Sequence, residues 1–267
     1  GGVEEFPAFR AFWIERPAPQ ATSLTLWALM DGPSAAGAFR FVVTPGETTV
    51  MDVSARIYPR VDLARAGVAP LTSMFLYGVD PTRRFDDFRP QVHDSDALEV
   101  TNGAGEQLFR PLINPKTVQT SAFADKGPKS FGLVQRERDF SAFQDLEARY
   151  EARPSLTVEP RGDWGAGEVR LVEIPSKSET DDNIAAFWTP AAPLPAGREA
   201  AFDYRLNWGR QPAVAGLARI VDWRTGAGGV PGGPDPGARR RFVLDFGPAD
   251  GDVTAEVDAS AGVVSQV

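Results

Sequence analysis

The sequence of 267 residues contains no cysteine and only one histidine, His93. Disulfides and thiolate metal sites are therefore excluded, and a lone imidazole falls short of the three protein ligands that a transition-metal centre normally uses. A calcium site at Asp94, Asp96 and Asp181 is an alternative, but these residues lack the regularly spaced oxygen ligands of an EF-hand loop. We therefore predict no metal site and no cofactor.

Basic residues are also scarce, with 28 Lys and Arg against 36 Asp and Glu and a net charge of -8. Phosphate binding needs concentrated positive charge, so this balance argues against nucleic acid or an anionic membrane as a partner. A neutral sugar polymer is compatible with it. No apolar run approaches the roughly 20 residues of a membrane helix, and the first residues show no signal-peptide pattern. We predict no membrane span.

Glycine and proline are abundant, at 26 and 23 residues, and no long amphipathic stretch is free of them. This composition predicts many short strands and turns, hence a mostly β fold, and the strand spacing suits an antiparallel sandwich. Alternating or β-rich runs predict strands at residues 23–30, 38–44, 48–58, 74–77, 98–101, 117–123, 131–135, 155–159, 168–174, 184–189 and 199–207.

Two short segments have helical character, residues 62–66 and residues 141–150, the second with Ser141 as its cap. Residues 226–241 are rich in Gly, Pro and Arg and have no apolar period. Such a segment predicts a flexible loop, here just past a domain boundary at residues 210–216.

Two acidic clusters about ninety residues apart each adjoin a strand-like apolar run: His93-Asp94-Ser95-Asp96 and Glu179-Thr180-Asp181-Asp182-Asn183. Between them stand the strings FGLVQRERDF from residue 131, QDLEARY from 144, EPRGDWG from 159 and LVEIP from 171. On these strings the chain resembles the periplasmic glucan biosynthesis proteins of the G/D type, which act on β-1,2-linked osmoregulated periplasmic glucans of Gram-negative bacteria. The likeness is densest over residues 131–188 and thins beyond Trp208.

The resemblance implies a large antiparallel β-sandwich followed by an immunoglobulin-like β-domain. On that comparison the chain is a fragment. Residues 1–212 would form the glucan-active sandwich without its N-terminal part, and residues 213–267 would form part of the second domain, including the loop at 226–241. An incomplete second sandwich leaves strand edges unpaired, so we expect this tail to dock on something or to be poorly ordered. The resemblance also implies a periplasmic location and the capacity to form homodimers.

The acidic clusters are candidates for glycosidic bond hydrolysis, which in the inverting case needs one carboxyl as acid and another as base. The second cluster runs straight into an apolar strand, so we expect one of its aspartates to be desolvated and its pKa to be raised. The resemblance implies that Asp182 is the acid and Asp94 the base, linked to its water by a long chain of waters and hydroxyls. Their separation can then exceed the roughly 6.5–9.5 Å usual for inverting pairs.

The structural alternative is that both clusters only cap turns and hairpins. Asp96 and Asp181 are interpreted as hydrogen-bonding neighbours of the two candidate catalytic residues.

Sugar rings stack on aromatic faces, so five tryptophans are candidate platforms, although we expect most of them to be core residues: Trp13, Trp27, Trp164, Trp188 and Trp208. Trp164 lies in a glycine-flanked turn, where we expect it to be the most exposed. Trp188 follows the candidate acid on the same strand and can pack beside the site.

Arg136 and Arg138 are two residues apart and on a strand would project together, offering donors to sugar hydroxyls or a catalytic carboxylate. Tyr150 is a further donor. Alternatively, the arginines belong to a structural ion-pair lattice with Glu137, Asp139, Asp145 and Glu147.

These observations predict an endo-acting, inverting β-1,2-glucan hydrolase in osmoregulated periplasmic glucan biosynthesis, although this fragment itself can be inactive. Two alternatives remain open: a non-catalytic glucan-binding or scaffolding protein of the same pathway, and a purely structural module.

Overall fold

A computed structural model describes residues 5–78, 85–210, 220–229, 232–234, 237–247 and 263–264. The fold is nearly all β, with 51% of residues in strands and 3% in helices, as the sequence predicts. The strands are β1 Ala8–Ile14, β2 Leu24–Asp31, β3 Ala35–Thr44, β4 Thr49–Pro59, β5 Val68–Ser73, β6 Phe75–Tyr77, β7 Val92–His93, β8 Ala97–Thr101, β9 Gln107–Pro111, β10 Gln119–Asp125, β11 Ser130–Val134, β12 Ser155–Arg161, β13 Gly167–Glu173, β14 Ile184–Pro190, β15 Ala200–Gly209, β16 Ile220–Ala227 and β17 Arg240–Phe246.

The chain divides into two compact units, Gly1–Gln211 and Pro212–Val267. In the first unit, nine antiparallel strands form a sheet in the order β1-β2-β3-β4-β15-β12-β11-β8-β9, and four form a sheet in the order β10-β13-β14-β5. One hydrophobic core joins them, with Val53, Val158 and Phe202 from the large sheet and Leu171 and Ile184 from the small one. This is the packing of a β-sandwich.

The core depends on a glycine at the start of β13. A Cβ atom at Gly167 would lie 2.4 Å from Trp188 Cζ2 and 2.4 Å from the Thr189 carbonyl oxygen. Only glycine lets the two strands pair here while the indole of Trp188 packs against the backbone.

A two-stranded sheet of β6 and β7 carries the first acidic cluster. Beneath it is a second apolar cluster that includes Met74, Val92, Phe143 and Tyr150. Because β7 ends at His93, Asp94 is the first residue beyond this small sheet.

Every strand predicted from the sequence overlaps an observed one, but β1, β5, β7 and β9 were missed, and no range was predicted for β16 or β17. Strand β5 contains Pro70, which argues against a central strand. It lies at the edge of the four-stranded sheet, where a missing backbone donor is tolerated.

The helix prediction at residues 62–66 was wrong, and the one at residues 141–150 is confirmed only at its two ends. At residues 62–66 the chain instead forms an isolated bridge in which Leu63 and Leu194 exchange backbone hydrogen bonds. At residues 141–150 a four-residue helix, α1, spans Phe140–Phe143, with Asp139 rather than Ser141 at its cap position, and a 3-10 turn follows at Tyr150–Ala152.

The helix at 141–150 is interrupted by tertiary contacts. The carboxylate of Asp145 accepts hydrogen bonds from the backbone N–H groups of Glu147 and Ala148 and from Arg89. Gln144 and Arg149 on either side adopt left-handed conformations. These contacts replace the local helical hydrogen bonds.

In the second unit, β16 and β17 form an antiparallel hairpin. The predicted loop at 226–241 is shorter than expected, because its ends lie in these strands, and residues 230–231 and 235–236 fall outside the described part. The predicted boundary at 210–216 falls almost wholly outside it as well. The immunoglobulin-like assignment stays a prediction.

Candidate functional site

The two acidic clusters, far apart in sequence, are neighbours in the fold. Ile184 at the start of β14 pairs with Ser73 at the end of β5. The Ser73 side chain hydrogen-bonds Ser95, with 2.8 Å between the two Oγ atoms, next to Asp94. Burial raises the pKa of Asp94, and the negative charge of Asp182 adds to that rise, as expected of carboxylates that interact through space.

Asp94 is the half-buried member of the pair. Burial is the largest cause of its raised pKa, the Arg153 guanidinium opposes the shift, and Asp182 adds to it. Arg153 Nε lies 3.3 Å from Asp94 Oδ1. That oxygen is buried and accepts no hydrogen bond. Asp94 is thus a carboxyl whose ionised form is poorly solvated.

Asp182 is exposed, so the expectation that the apolar strand would desolvate it was wrong. The reason is the next residue, because buried Asn183 anchors the segment. Its side-chain amide accepts a hydrogen bond from the backbone N–H of Phe75 and donates to the carbonyls of Phe75 and Ile174. Asp182 lies two residues before β14 begins at Ile184, and its side chain is exposed. Asp181 accepts a 2.8 Å hydrogen bond from Ser176 Oγ.

Asp94 lines a cavity of about 350 Å³ between the sheets, together with Arg153, Leu156 and Tyr204. A second cavity of about 620 Å³ is lined by Arg138 and Glu151 among others. Pro154 and Trp208 line both, so the cavities adjoin, and together we call them the groove. Asp182 lines neither cavity.

The predicted sugar platforms Trp164 and Trp188 are core residues. Trp164 is 7% exposed and Trp188 0%, so the prediction that Trp164 is the most exposed tryptophan was wrong. The Trp164 indole packs edge-on against Phe202 and Tyr204, and its Nε1–H donates to the Asp203 carbonyl at 3.1 Å. Partners distant in sequence bury this side chain. Neither ring presents a face to a ligand.

Arg136 and Arg138 do not project together, because β11 ends at Val134. Arg136 Nε donates to Asp96 Oδ2 at 2.9 Å, and its guanidinium lies 4.3 Å from the centre of the Phe109 ring. Burial raises the pKa of Asp96, and Arg136 opposes that shift. Arg138 turns to the groove and donates to the carbonyls of residues 151 and 153. Arg138 therefore lines the groove, whereas Arg136 lines neither of its cavities.

The fold contains an ion-pair network that the sequence did not predict, and this network includes Glu179 of the second acidic cluster. Arg89 Nη1 donates to Asp145 Oδ2 at 2.6 Å and to Glu179 Oε2 at 2.8 Å, and Asp87 pairs with Arg89 Nη2 at 2.7 Å. Tyr150 is buried and its hydroxyl donates to Glu179 Oε2 at 2.5 Å. Tyr150 therefore positions Glu179 rather than facing the groove. Arg89 lies in no recognisable motif, and only the fold reveals its role.

His93 is a fully buried core residue. Its ring stacks on Phe75 with 5.3 Å between ring centres, and its Nε2 lies 3.0 Å from Gln91 Oε1. Burial lowers its pKa to about 3. Across the described residues, no group of three or more His, Asp or Glu side chains is arranged to hold a metal ion.

Replacing Asp94 by asparagine is expected to raise the free energy of unfolding at pH 7 by about 0.5–2 kcal/mol. The native pKa lies above the unfolded value, so the ionised carboxyl destabilises the fold at high pH and the penalty vanishes once both states are protonated. The gain should disappear near pH 3, which urea titrations at both pH values would measure. A less stable variant at pH 7 would mean that the Arg153 ion pair outweighs burial.

In the described part of the chain, no helix combines the length and apolar character needed to span a membrane. The profile of the family described as "Periplasmic glucan biosynthesis protein, MdoG" matches residues 1–267. "Glucans biosynthesis protein G" of Rhodopseudomonas palustris (strain BisA53) is 54% identical over 99% of this chain and 51% of its own length. The protein of the same name from Shewanella frigidimarina (strain NCIMB 400) is 54% identical over 99% of this chain and 48% of its own length.

The chain therefore spans about half the length of these curated relatives. Among solved structures, the GH36 α-galactosidase AgaA from Geobacillus stearothermophilus aligns over 79% of this chain and 29% of its own, with 11% identity and a TM-score of 0.44. That likeness is too low to inform the fold or the site.

Proposed function

Because the chain belongs to the family of periplasmic glucan biosynthesis proteins, we propose that it carries the catalytic carboxyl pair of an inverting, endo-acting β-1,2-glucan hydrolase. The family description supports the pathway. The reaction and the linkage are our inference, as is a periplasmic location. The observation that carries the proposal is the convergence of Asp94 and Asp182, whose charges interact beside a groove between the two sheets.

In the proposed reaction, Asp182 protonates the oxygen of the departing sugar while a water attacks the anomeric carbon from the opposite face. The proton of that water passes to Asp94, directly or through intervening hydroxyls. Asp94 must be ionised for this step, and Arg153, 3.3 Å from its Oδ1, favours that form. Asp182 must be protonated.

The exposure of Asp182 in the free protein is compatible with its role as acid, provided that the substrate itself excludes water. A glucan chain laid over Asp182 would exclude water from the carboxyl at the moment when a proton is needed. Exposure also leaves the carboxyl accessible to a long polymer entering laterally, as an endo-acting enzyme requires.

A second function has one specific observation in its favour. Asp182 is exposed and lines neither cavity of the groove, which is what a protein that binds glucan without cleaving it would show. Such a protein would present the polymer to other components of the pathway. It would respond to glucan by a rise in melting temperature and release no product.

Digestion of linear β-1,2-glucan separates the two functions. The full-length protein is expected to release short β-1,2-oligosaccharides, visible by thin-layer chromatography, and to leave β-1,3- and β-1,4-glucans intact. The first products should carry the inverted α-anomeric configuration, which proton NMR would record. A rise in melting temperature without products would favour the binding protein, and products of retained configuration would overturn the inverting mechanism.

A further inference from the structure

On the inner face of the nine-stranded sheet, the side chains of β15 change from buried to exposed towards Trp208. Along β15, Phe202, Tyr204, Leu206 and Trp208 share one face because side chains alternate along a strand. Phe202 and Tyr204 are 6% and 8% exposed, whereas Trp208 is 40% exposed. Trp208 thus presents its indole to the groove, where it lines both cavities.

The larger cavity surrounds Trp208 with hydrogen-bonding groups. Glu151 Oε1 pairs with Arg149 Nε at 2.5 Å, but Glu151 Oε2 is buried and accepts no hydrogen bond. Glu151 and Arg138 both line this cavity, as does Arg210. Because Glu151 Oε2 has almost no accessible surface, a ligand hydroxyl would instead reach Glu47 and Arg210, which are exposed and line the same cavity.

The charges around this cavity balance. Two carboxylates, from Glu47 and Glu151, face two guanidinium groups, from Arg138 and Arg210. Its volume of about 620 Å³ lies within the roughly 300–1,000 Å³ of small-molecule sites. An aromatic face with balanced donors and acceptors suits a neutral, hydroxyl-rich ring better than an ion.

We propose that Trp208 is the stacking platform of a distal glucose-binding subsite, with Glu47 and Arg210 as the polar partners of the sugar hydroxyls. This inference rests on the proposed glucanase function. The subsite lies in the larger cavity and Asp94 in the smaller one, and Pro154 lines both. The subsite holds a sugar unit that is remote from the bond being cut. Its binding energy is therefore available to long glucans and not to the shortest substrates.

The test compares Trp208→Ala with Trp208→Phe and Trp27→Ala in the full-length protein. Trp27 is a matched control because it is 42% exposed, against 40% for Trp208, but lines neither cavity. Trp208→Ala is expected to raise KM for long β-1,2-glucan by about ten- to hundredfold, since stacking buries a large apolar face. KM for the shortest cleavable oligosaccharide should stay within about twofold. Trp208→Phe should recover most of the loss.

An unchanged KM of Trp208→Ala for long glucan would overturn the subsite while leaving the proposed function in place. An equal loss on short and long substrates would also overturn it, by showing general damage. If the wild-type protein cleaves nothing, equilibrium titration with β-1,2-glucan decides independently. Affinity that falls about tenfold or more in Trp208→Ala and not in Trp27→Ala would support the subsite. Equal affinity of both variants would end it.

Discussion

Replacing Asp182 by asparagine in the full-length protein is expected to slow hydrolysis of linear β-1,2-glucan by about 10²–10⁴-fold while the fold is retained. Asparagine is nearly isosteric with aspartate but cannot donate the proton that the departing sugar needs. Asp182 makes no contribution to the core, since its side chain is exposed. Initial rates of oligosaccharide release, with circular dichroism and the melting temperature as checks on folding, would measure the effect.

A substrate with an activated leaving group would show that Asp182 acts as an acid. An aryl β-1,2-oligoglucoside whose phenolate departs without protonation should be cleaved by Asp182→Asn at a rate much nearer that of the wild-type protein. Asp94→Asn should be slow on both substrates, because activation of water is still needed, and added azide should restore its cleavage. Similar behaviour of the two variants would contradict the separate roles.

Asp139→Asn provides the control for the change in charge. Asp139 is exposed, and its side chain forms no capping hydrogen bond to α1. Its variant should cleave glucan at the wild-type rate. If Asp182→Asn matched it, Asp182 would have no catalytic role, and the glucan-binding function would become the better explanation of the site.

Removing the guanidinium of Arg89 is expected to have the largest effect on stability. Arg89 is 13% exposed in its side chain and pairs with three carboxylates, those of Asp87, Asp145 and Glu179. Arg89→Met would leave these negative charges close together in a poorly solvated place, at a cost of about 3–5 kcal/mol at pH 7. Urea unfolding of the wild-type and variant proteins would measure the loss.

The difference in stability between Arg89→Met and the wild-type protein should also depend on pH. Arg89 lowers the pKa values of Asp87, to about 2, and of Glu179. Carboxyls with lowered pKa values stabilise the native state above their unfolded pKa values, and that contribution is lost as the pH falls towards 2. In Arg89→Met the contribution is absent, so the difference between the variant and the wild-type protein should shrink between pH 5 and pH 2.

Two further variants test whether the loss of the ion-pair network is the cause of the lower stability of Arg89→Met. Arg161→Met removes an arginine that is 48% exposed and pairs with exposed Glu159, and it should change stability by less than about 1 kcal/mol. Combining Arg89→Met with Glu179→Gln should recover part of the loss, because one of the crowded charges disappears. Strict additivity of the two substitutions, or an Arg89→Met protein as stable as the wild type, would contradict the network.

The adjacency of the two acidic clusters illustrates how much the sequence can predict. Each cluster adjoins a recognisable strand, and the resemblance associated Asp94 with Asp182. The sequence did not predict which of the two carboxyls is exposed. Next to exposed Asp182, Asn183 holds the backbone of Phe75, 108 residues earlier in the chain, through its side-chain amide. No local pattern distinguishes such an anchoring amide from an ordinary turn residue.

The tryptophans illustrate the same limit. The turn around Trp164 was recognised from its glycines, but the ring is buried by Phe202 and Tyr204 of β15. Trp208 lies near the end of the same strand and is 40% exposed. Exposure of an aromatic residue is set by what packs against it, and the sequence does not state that.

The β class, most strands and the candidate carboxyls were predictable from the sequence, because alternation, turn chemistry and charge are properties of neighbouring residues. The half-burial of Asp94, the pairing of Arg89 with three carboxylates and the position of Trp208 in the groove became visible only in the folded chain. Those outcomes depend on contacts between segments far apart in the chain. Their free energies come from burial and from ion pairs, which exist only once the sheets have packed.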